Sequence, residues 1–289
     1  MSRQQHKPRS AAAPRAAAST SSGAATRAAA TTRAEASRAR RVLTPLFTVV
    51  ALLVVWELVV DLGLIPNFLL PTPIQVVQAL VADIALILGH AATTLVETAI
   101  GLLIGVALGF AIAVLMDRFE GFYLALQPLV TISQTIPTIA IAPLLVLWFG
   151  YGLAPKVILI VITTFFPITV SLISGFRSVD PDVIDLMRTM NASRWQVFLY
   201  AKLPAAADQF FSGLRISATY AIVGAVIAEW LGGNLGLGVY MTRVRKSFSY
   251  DRMFAVIIVI SALSLGLMKL VDLLQRICMP WKRVEGNKR

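Results

Sequence analysis

Apolar residues run along this chain in six long blocks, separated by shorter polar or proline-containing stretches. The blocks cover roughly residues 43–60, 91–116, 122–149, 157–176, 211–231 and 253–275. A helix needs about 20 apolar residues to cross the hydrocarbon core of a bilayer. A soluble core helix can be as apolar over about ten residues, but six such blocks in one chain predict a polytopic membrane protein. Helices satisfy their own backbone groups in lipid, so the expected fold class is all-α with about six transmembrane helices.

The blocks differ in character. The second carries Gly101, Gly105 and Gly109 at a spacing of four, which makes a flat face for close helix packing. The third is interrupted by Pro128, Pro137 and Pro143, with Gln134 and Thr135 between them. Broken helices are tolerated at membrane depth where they face protein or a water-filled cavity. The third block is therefore expected to be a bent helix along a pathway; the plainer reading is a kinked helix packed away from one. Between the first two blocks, Pro71 and Pro73 predict an extended stretch over 69–73, followed by a short amphipathic helix from Ile74.

Composition supports the membrane reading. Of 289 residues, 57% are hydrophobic and 14% charged, against about 25% charged in a typical soluble domain. The net charge is +11. Residues 1–41 hold nine basic residues (Arg3, Lys7, Arg9, Arg15, Arg27, Arg33, Arg38, Arg40, Arg41) against the single acid Glu35, and no aromatic residue. Such a stretch cannot bury a core, so residues 1–42 are expected to be a disordered basic tail rather than a nucleic-acid-binding domain. A transit peptide would share this composition; a secretory signal would show a small-residue cleavage site after its apolar run. The membrane domain is expected over 43–282, with a short end at 283–289. Basic residues mark cytoplasmic loops. The tail, the segment 177–210 and the C-terminal WKRVEGNKR all carry them, which places both termini in the cytoplasm. Segment 61–90 has Asp61 and Asp83 but no Lys or Arg, as an external segment should. Segment 232–252 breaks the rule, since it falls outside and yet carries Arg243, Arg245, Lys246 and Arg252.

No catalytic pattern is present. The chain lacks the Gly-x-x-x-x-Gly-Lys-Ser/Thr phosphate loop, His-Glu-x-x-His and Gly-x-Ser-x-Gly. It has one cysteine, Cys278, and two histidines, His6 and His90. A cysteine or histidine metal site and an intrachain disulfide are excluded, and no metal or cofactor is expected. Ionisable residues within spans are costly and default to functional hypotheses. Glu57 and Glu229, near block ends, read as interfacial or hydrogen-bonded groups, and Glu97 as a buried interhelical partner. Lys269 and Asp272, three apart, are placed to pair on one face.

The segment 185–204, DLMRTMNASRWQVFLYAKLP, stands out as charged between two apolar blocks. Asp180 or Ser178 can cap a helix starting near Pro181. Val183, Leu186, Met187 and Met190 recur at helical spacing. Asn191 accepts the left-handed conformation that ends helices, Ser193 can cap a second helix, and Leu203-Pro204 is expected to end it. On this pattern alone, two short helices built to dock a partner and a solvated amphipathic linker are both open.

Here the sequence resembles the permease subunits of binding-protein-dependent ABC importers. These carry a cytoplasmic loop of the form Glu-Ala-Ala, three residues, Gly, nine residues, Ile-x-Leu-Pro. The register falls on Asp185-Leu186-Met187, then Asn191, then Ala201-Lys202-Leu203-Pro204, with matching spacing and changed residues. LLPTPIQVVQAL, PLLVLWFGYG, GLRISATYAIVGAVIAEWLGG and the GLG at 236–238 are similar to the nitrate, sulfonate and taurine branch of these permeases. The stretch from Ala228 to Ile257 looks most like permeases for a thiamine-precursor pyrimidine, hydroxymethylpyrimidine. The resemblance covers about residues 45–282. It implies a type I importer fold in a bacterial inner membrane, working as a homodimer with two cytoplasmic ATPase subunits that bind the ATP and an external solute-binding protein. It implies no partner nucleic acid. Asp185, Leu186, Met187, Arg188, Asn191, Arg194, Trp195, Leu203 and Pro204 would form the ATPase-coupling loop. Gln134, Thr135 and Pro137 of the third block, with Tyr220 and Glu229 of the fifth, would line the pathway. Arg243, Arg245 and Lys246 would either meet the binding protein or form a solvated face. An ion-coupled secondary transporter is the rival from another class, with Glu97 and Glu229 as its best support; a membrane-embedded enzyme is disfavoured by the missing motifs.

Overall fold

The computed structural model describes residues 43–280. The expectations for the tail at 1–42 and the end at 283–289 lie outside these residues. The chain divides into two units at Leu64–Ile65. The first holds α1 (Leu43–Asp61), 19 apolar-rich residues, which at 1.5 Å per residue reach roughly 28 Å and match the thickness of a bilayer core.

The second unit is all helical among the described residues: α2 (Pro73–Ala82), α3 (Ile84–Arg118), α4 (Glu120–Ser133), α5 (Thr138–Phe149), α6 (Leu153–Arg177), α7 (Pro181–Thr189), α8 (Arg194–Val197), α9 (Leu203–Leu231), α10 (Leu237–Lys246) and α11 (Tyr250–Cys278). Helix α2 starts as its sequence asks. Thr72 and Gln75 form a reciprocal capping box and Pro73 occupies the first turn, where its missing N–H costs nothing. Helix α3, at 35 residues, begins seven residues before the expected block. The polar pair Gly89-His90 does not stop it, because His90 is buried with a partner.

Five described helices are long and apolar enough to cross a bilayer, and the pair α4–α5 makes six if counted as one broken span. That pair bends by 99°. Of its three prolines only Pro137 makes the break. It caps α5 with extended backbone, and it bars Ile136 from helix. Pro128 and Pro143 sit inside α4 and α5, so the expectation that all three interrupt the span is corrected to one break at 134–137.

The centre of the fold is α3, α6 and α9. Gly101 faces Ile160, Gly105 faces Thr164 and Gly109 faces Ile168, so α3 and α6 run parallel in close register. Gly213 packs on Pro167 and Ser171, and Gly224 lies near Ile160 and Thr163, so α9 runs antiparallel to both. A core of Met116, Ile168, Leu172, Phe176 and Ala218 fills this centre. Helix α5 packs on α6 and α9, α4 on α3, α11 on α9 and α2, and α10 on α9, α11 and α3. Large apolar side chains such as Leu103, Leu147 and Leu265 point outward, a surface that suits lipid or a partner protein rather than water.

Candidate functional site

The antiparallel arrangement gives the bundle two ends. One carries the ends of α3 and α6, the start of α9, and the loop 178–202. The other carries the starts of α3 and α6, the end of α9, and α10.

At the loop end the local sequence rules build a rigid element. Asp180 caps α7 by accepting the Asp182 N–H at 3.0 Å, with Pro181 in the first turn. Ser178 instead bonds back to Gly175 at the end of α6. Asn191 takes φ 61°. Its N–H donates to the Arg188 carbonyl and that of Ala192 to the Met187 carbonyl, the two bonds of a Schellman turn. Ser193 and Gln196 then form a second capping box at the start of α8. Two ties fix the loop to the bundle. Lys202 Nζ donates to Asp117 Oδ1 at 2.6 Å, and Phe198 packs between Phe176 and Trp195.

The loop's end corrects the expectation at Leu203-Pro204. Helix does not stop there; it continues from Arg194 to Leu231. A π turn over Phe198–Lys202 carries it past Pro204, with the Leu203 N–H bonding the Phe198 carbonyl. An interior proline clashes with the carbonyl four residues back. The wider π turn relieves that clash at Tyr200.

Helix α7 buries none of its residues. Leu186 is 61% and Met190 76% exposed, with Val183 and Trp195 beside them. Asp185 and Arg188 form an exposed pair at 3.0 Å on the same helix. Met187 is partly covered. The structure thus brings Asp185, Leu186, Met187, Arg188, Asn191, Arg194 and Trp195 together on one projecting element and leaves an apolar strip without cover.

At the opposite end the N–H groups of Gly236, the N-cap of α10, and of the helix's first two residues are bonded from other helices. Gly236 N–H donates to His90 Nδ1 (3.0 Å), Leu237 N–H to Thr94 Oγ1 (2.9 Å) and Gly238 N–H to Glu229 Oε2 (2.6 Å). Thr94 donates in turn to Glu229 Oε1 at 2.7 Å. Glu229, at 1% exposure, is thus a buried clamp that seats α10 on α3 and α9. Gly236 and Gly238 are required, since a Cβ on either would run into Glu229. Beside this clamp, Lys156 Nζ lies 2.6 Å from Glu97 Oε1, both groups buried. Tyr240 donates to Asp83 at 2.7 Å. Burial, then the Asp83 carboxylate, pushes its phenol above the usual range.

The remaining candidates divide. Gln134, Thr135 and Pro137 lie in the α4–α5 break and are exposed, as is Tyr220 on α9. Arg245 and Lys246 are exposed in the last turn of α10, while Arg243 donates to the Asn234 carbonyl and Arg252 pairs with Asp83. Asp272 pairs with Arg215 on α9 at 2.7 Å and not with Lys269; the cross-helix cation competes better than an i,i+3 neighbour on the same turn. Arg215, Lys156, Thr94 and the partner role of His90 were not singled out from sequence. Their partners lie 57 to 146 residues away, and no local pattern carries that.

A helical membrane protein with a broken span, a packed three-helix centre and a projecting helix-turn-helix loop is the class these features define. The chain belongs to the family described as binding-protein-dependent transport system inner membrane component, which matches residues 101–284. A probable ABC transporter permease protein of Haemophilus influenzae is 40% identical, covering 80% of this chain and 95% of that protein. The formylaminopyrimidine transport permease protein ThiX of Halalkalibacterium halodurans is 37% identical, covering 86% of this chain and 99% of that protein. Permeases named for aliphatic sulfonates, taurine and nitrate also align over most of the chain. The solved structure of an amino acid ABC transporter shares the fold, with TM-score 0.56 at 21% identity over 69% of this chain and 97% of that one. The chain is a multi-pass ABC importer permease subunit of the nitrate, sulfonate and taurine branch.

Proposed function

We propose that two copies of this chain form the translocation pathway of an importer for a thiamine-precursor pyrimidine, driven by cytoplasmic ATPase subunits and fed by an external solute-binding protein. The observation that carries the coupling is α7: a capped, rigid helix with Leu186 and Met190 uncovered and the Asp185–Arg188 pair beside them. An apolar strip outside the spans, flanked by charge, suits insertion into a groove on a soluble partner. In this reading both termini are cytoplasmic, and residues 1–42, 43–282 and 283–289 act as tail, membrane domain and end. Gln134, Thr135, Pro137 and Tyr220 line the pathway between the copies, and Arg245 and Lys246 meet the binding protein.

The pyrimidine assignment is supported by the formylaminopyrimidine permease relative, and taurine, sulfonate or nitrate is the second reading, on the relatives named for them. Ion coupling is disfavoured because both Glu229 oxygens are occupied and Glu97 is held by Lys156. Co-purification tests the docking. The chain should carry an ATPase subunit out of the membrane, and Leu186→Asp should release it while the helix content holds. An ATPase retained by that variant would count against the assignment of α7. Titration of the partner solute-binding protein with hydroxymethylpyrimidine, formylaminopyrimidine and taurine decides the cargo.

A further inference from the structure

At the loop end, a cavity of about 740 Å³ lies between the end of α3 and the α7–α8 hairpin. Arg118, Arg188, Arg194 and Lys202 line it from α3, α7, α8 and the π turn, against the single carboxylate of Asp117. Asp117 is engaged by Lys202 at 2.6 Å, and Arg188 by Asp185 at 3.0 Å. Arg118 and Arg194 have no carboxylate within ion-pair distance among the described residues. Basic residues are usual where spans leave the lipid. Here four of them share one cavity, where like charges repel unless an anion joins them. Val114, Ile184 and Val197, with the Trp195 and Phe198 rings, give the cavity an apolar side. The cavity is distinct from the docking strip. Ile184 and Arg188, four residues apart, face it together, whereas Val183, Leu186 and Met190 lie well round α7 at 3.6 residues per turn.

We propose that this cavity is a site for a phosphate group with an apolar neighbour, as an anionic phospholipid headgroup or a soluble phosphate ester presents it. Two guanidiniums free of carboxylates suit a phosphate, since each offers paired N–H donors in a planar fork. The position favours the lipid as the source. Arg118 is the last residue of α3, just past the apolar block that ends near residue 116, so the cavity opens at headgroup depth. A basic pocket beside spans at that depth suits an anionic headgroup. The lipid's glycerol and first methylenes would lie along Val114, Val197 and Phe198. A phosphate held by Arg118 of the bundle and Arg194 of the loop would brace the hairpin against α3, beside the Lys202–Asp117 tie. The site rests on the reading above only in placing the loop outside the spans.

Native mass spectrometry of the delipidated chain with its ATPase tests this, with phosphatidylglycerol, phosphatidylcholine and inorganic pyrophosphate as probes. The wild type should retain phosphatidylglycerol severalfold better than phosphatidylcholine, and Arg118→Gln and Arg194→Gln should each abolish that preference. Arg276→Gln removes an exposed cation of α11 at the same end of the bundle and should keep it. Pyrophosphate retained instead of the lipid, and lost in the same two variants, keeps the site and makes a soluble ester its occupant. Equal retention of the two lipids with no pyrophosphate held, or a preference that survives both arginine variants, overturns the site. An ATPase missing from the wild-type sample counts against the coupling reading alone, because the lipid comparison is then read on the chain itself. Solute-stimulated ATP hydrolysis in phosphatidylcholine vesicles should rise severalfold when phosphatidylglycerol is added, for the wild type and not for Arg118→Gln. Equal rates in the two lipids overturn the bracing role.

Discussion

Gly109 shows how a single residue sets the spacing of two spans. A Cβ there would sit 2.7 Å from the Phe165 carbonyl oxygen and 2.9 Å from Ile168 Cβ, neither of which can swing aside. Gly109→Val should cost about 1–3 kcal/mol through overpacking, read as a lowered unfolding temperature in detergent. The glycine ladder was legible because its period of four is local. Thr94 was not legible, since nothing near it announces a bond to a helix start 143 residues on. Thr94→Val keeps the shape but leaves the buried Leu237 N–H unpaired, a loss of about 1–3 kcal/mol. Amide exchange at Leu237 and Gly238 should rise in that variant before exchange elsewhere does; uniform exchange across the bundle would contradict the clamp.

Among elements, the α7–α8 hairpin was the most legible, because caps and turns are written within four residues. Asp180, Asn191 and Ser193 each do what their type favours. Asn191→Gly should leave coupling nearly unchanged, since both residues accept φ 61°. Asn191→Val should cost about 1–2 kcal/mol in the left-handed conformation and reduce solute-stimulated ATP hydrolysis severalfold, a comparison made in one assay with the two variants side by side. The Leu203-Pro204 boundary misled because a proline is a helix breaker only when its neighbours cannot yield. Five residues in a π turn yield here, so the loop is continuous with α9. A push on α7 reaches that continuous helix through one short turn, which Asn191 and the Ser193–Gln196 capping box define.

For the whole molecule, the order of the apolar blocks and their count of five spans, or six with the broken pair, match apolar length, but three prolines stood as candidate breaks in the third block and only Pro137 makes one. What length could not give was pairing. The ties Glu97–Lys156, Asp117–Lys202 and Arg215–Asp272 hold helices that are remote in sequence. The first two tie α3 to α6 and to the start of the α9 helix, and the third ties α9 to α11. A rigid-body shift started at the loop would then reach the α10 end of the bundle. The most direct test of this linkage is solute uptake by reconstituted vesicles containing the chain, its ATPase and its binding protein, measured with and without ATP for the wild type and Asp185→Arg. Uptake should require ATP in the wild type and fall at least tenfold in the variant, with the helical signal unchanged. Uptake that persists without ATP or without any ATPase subunit would contradict it.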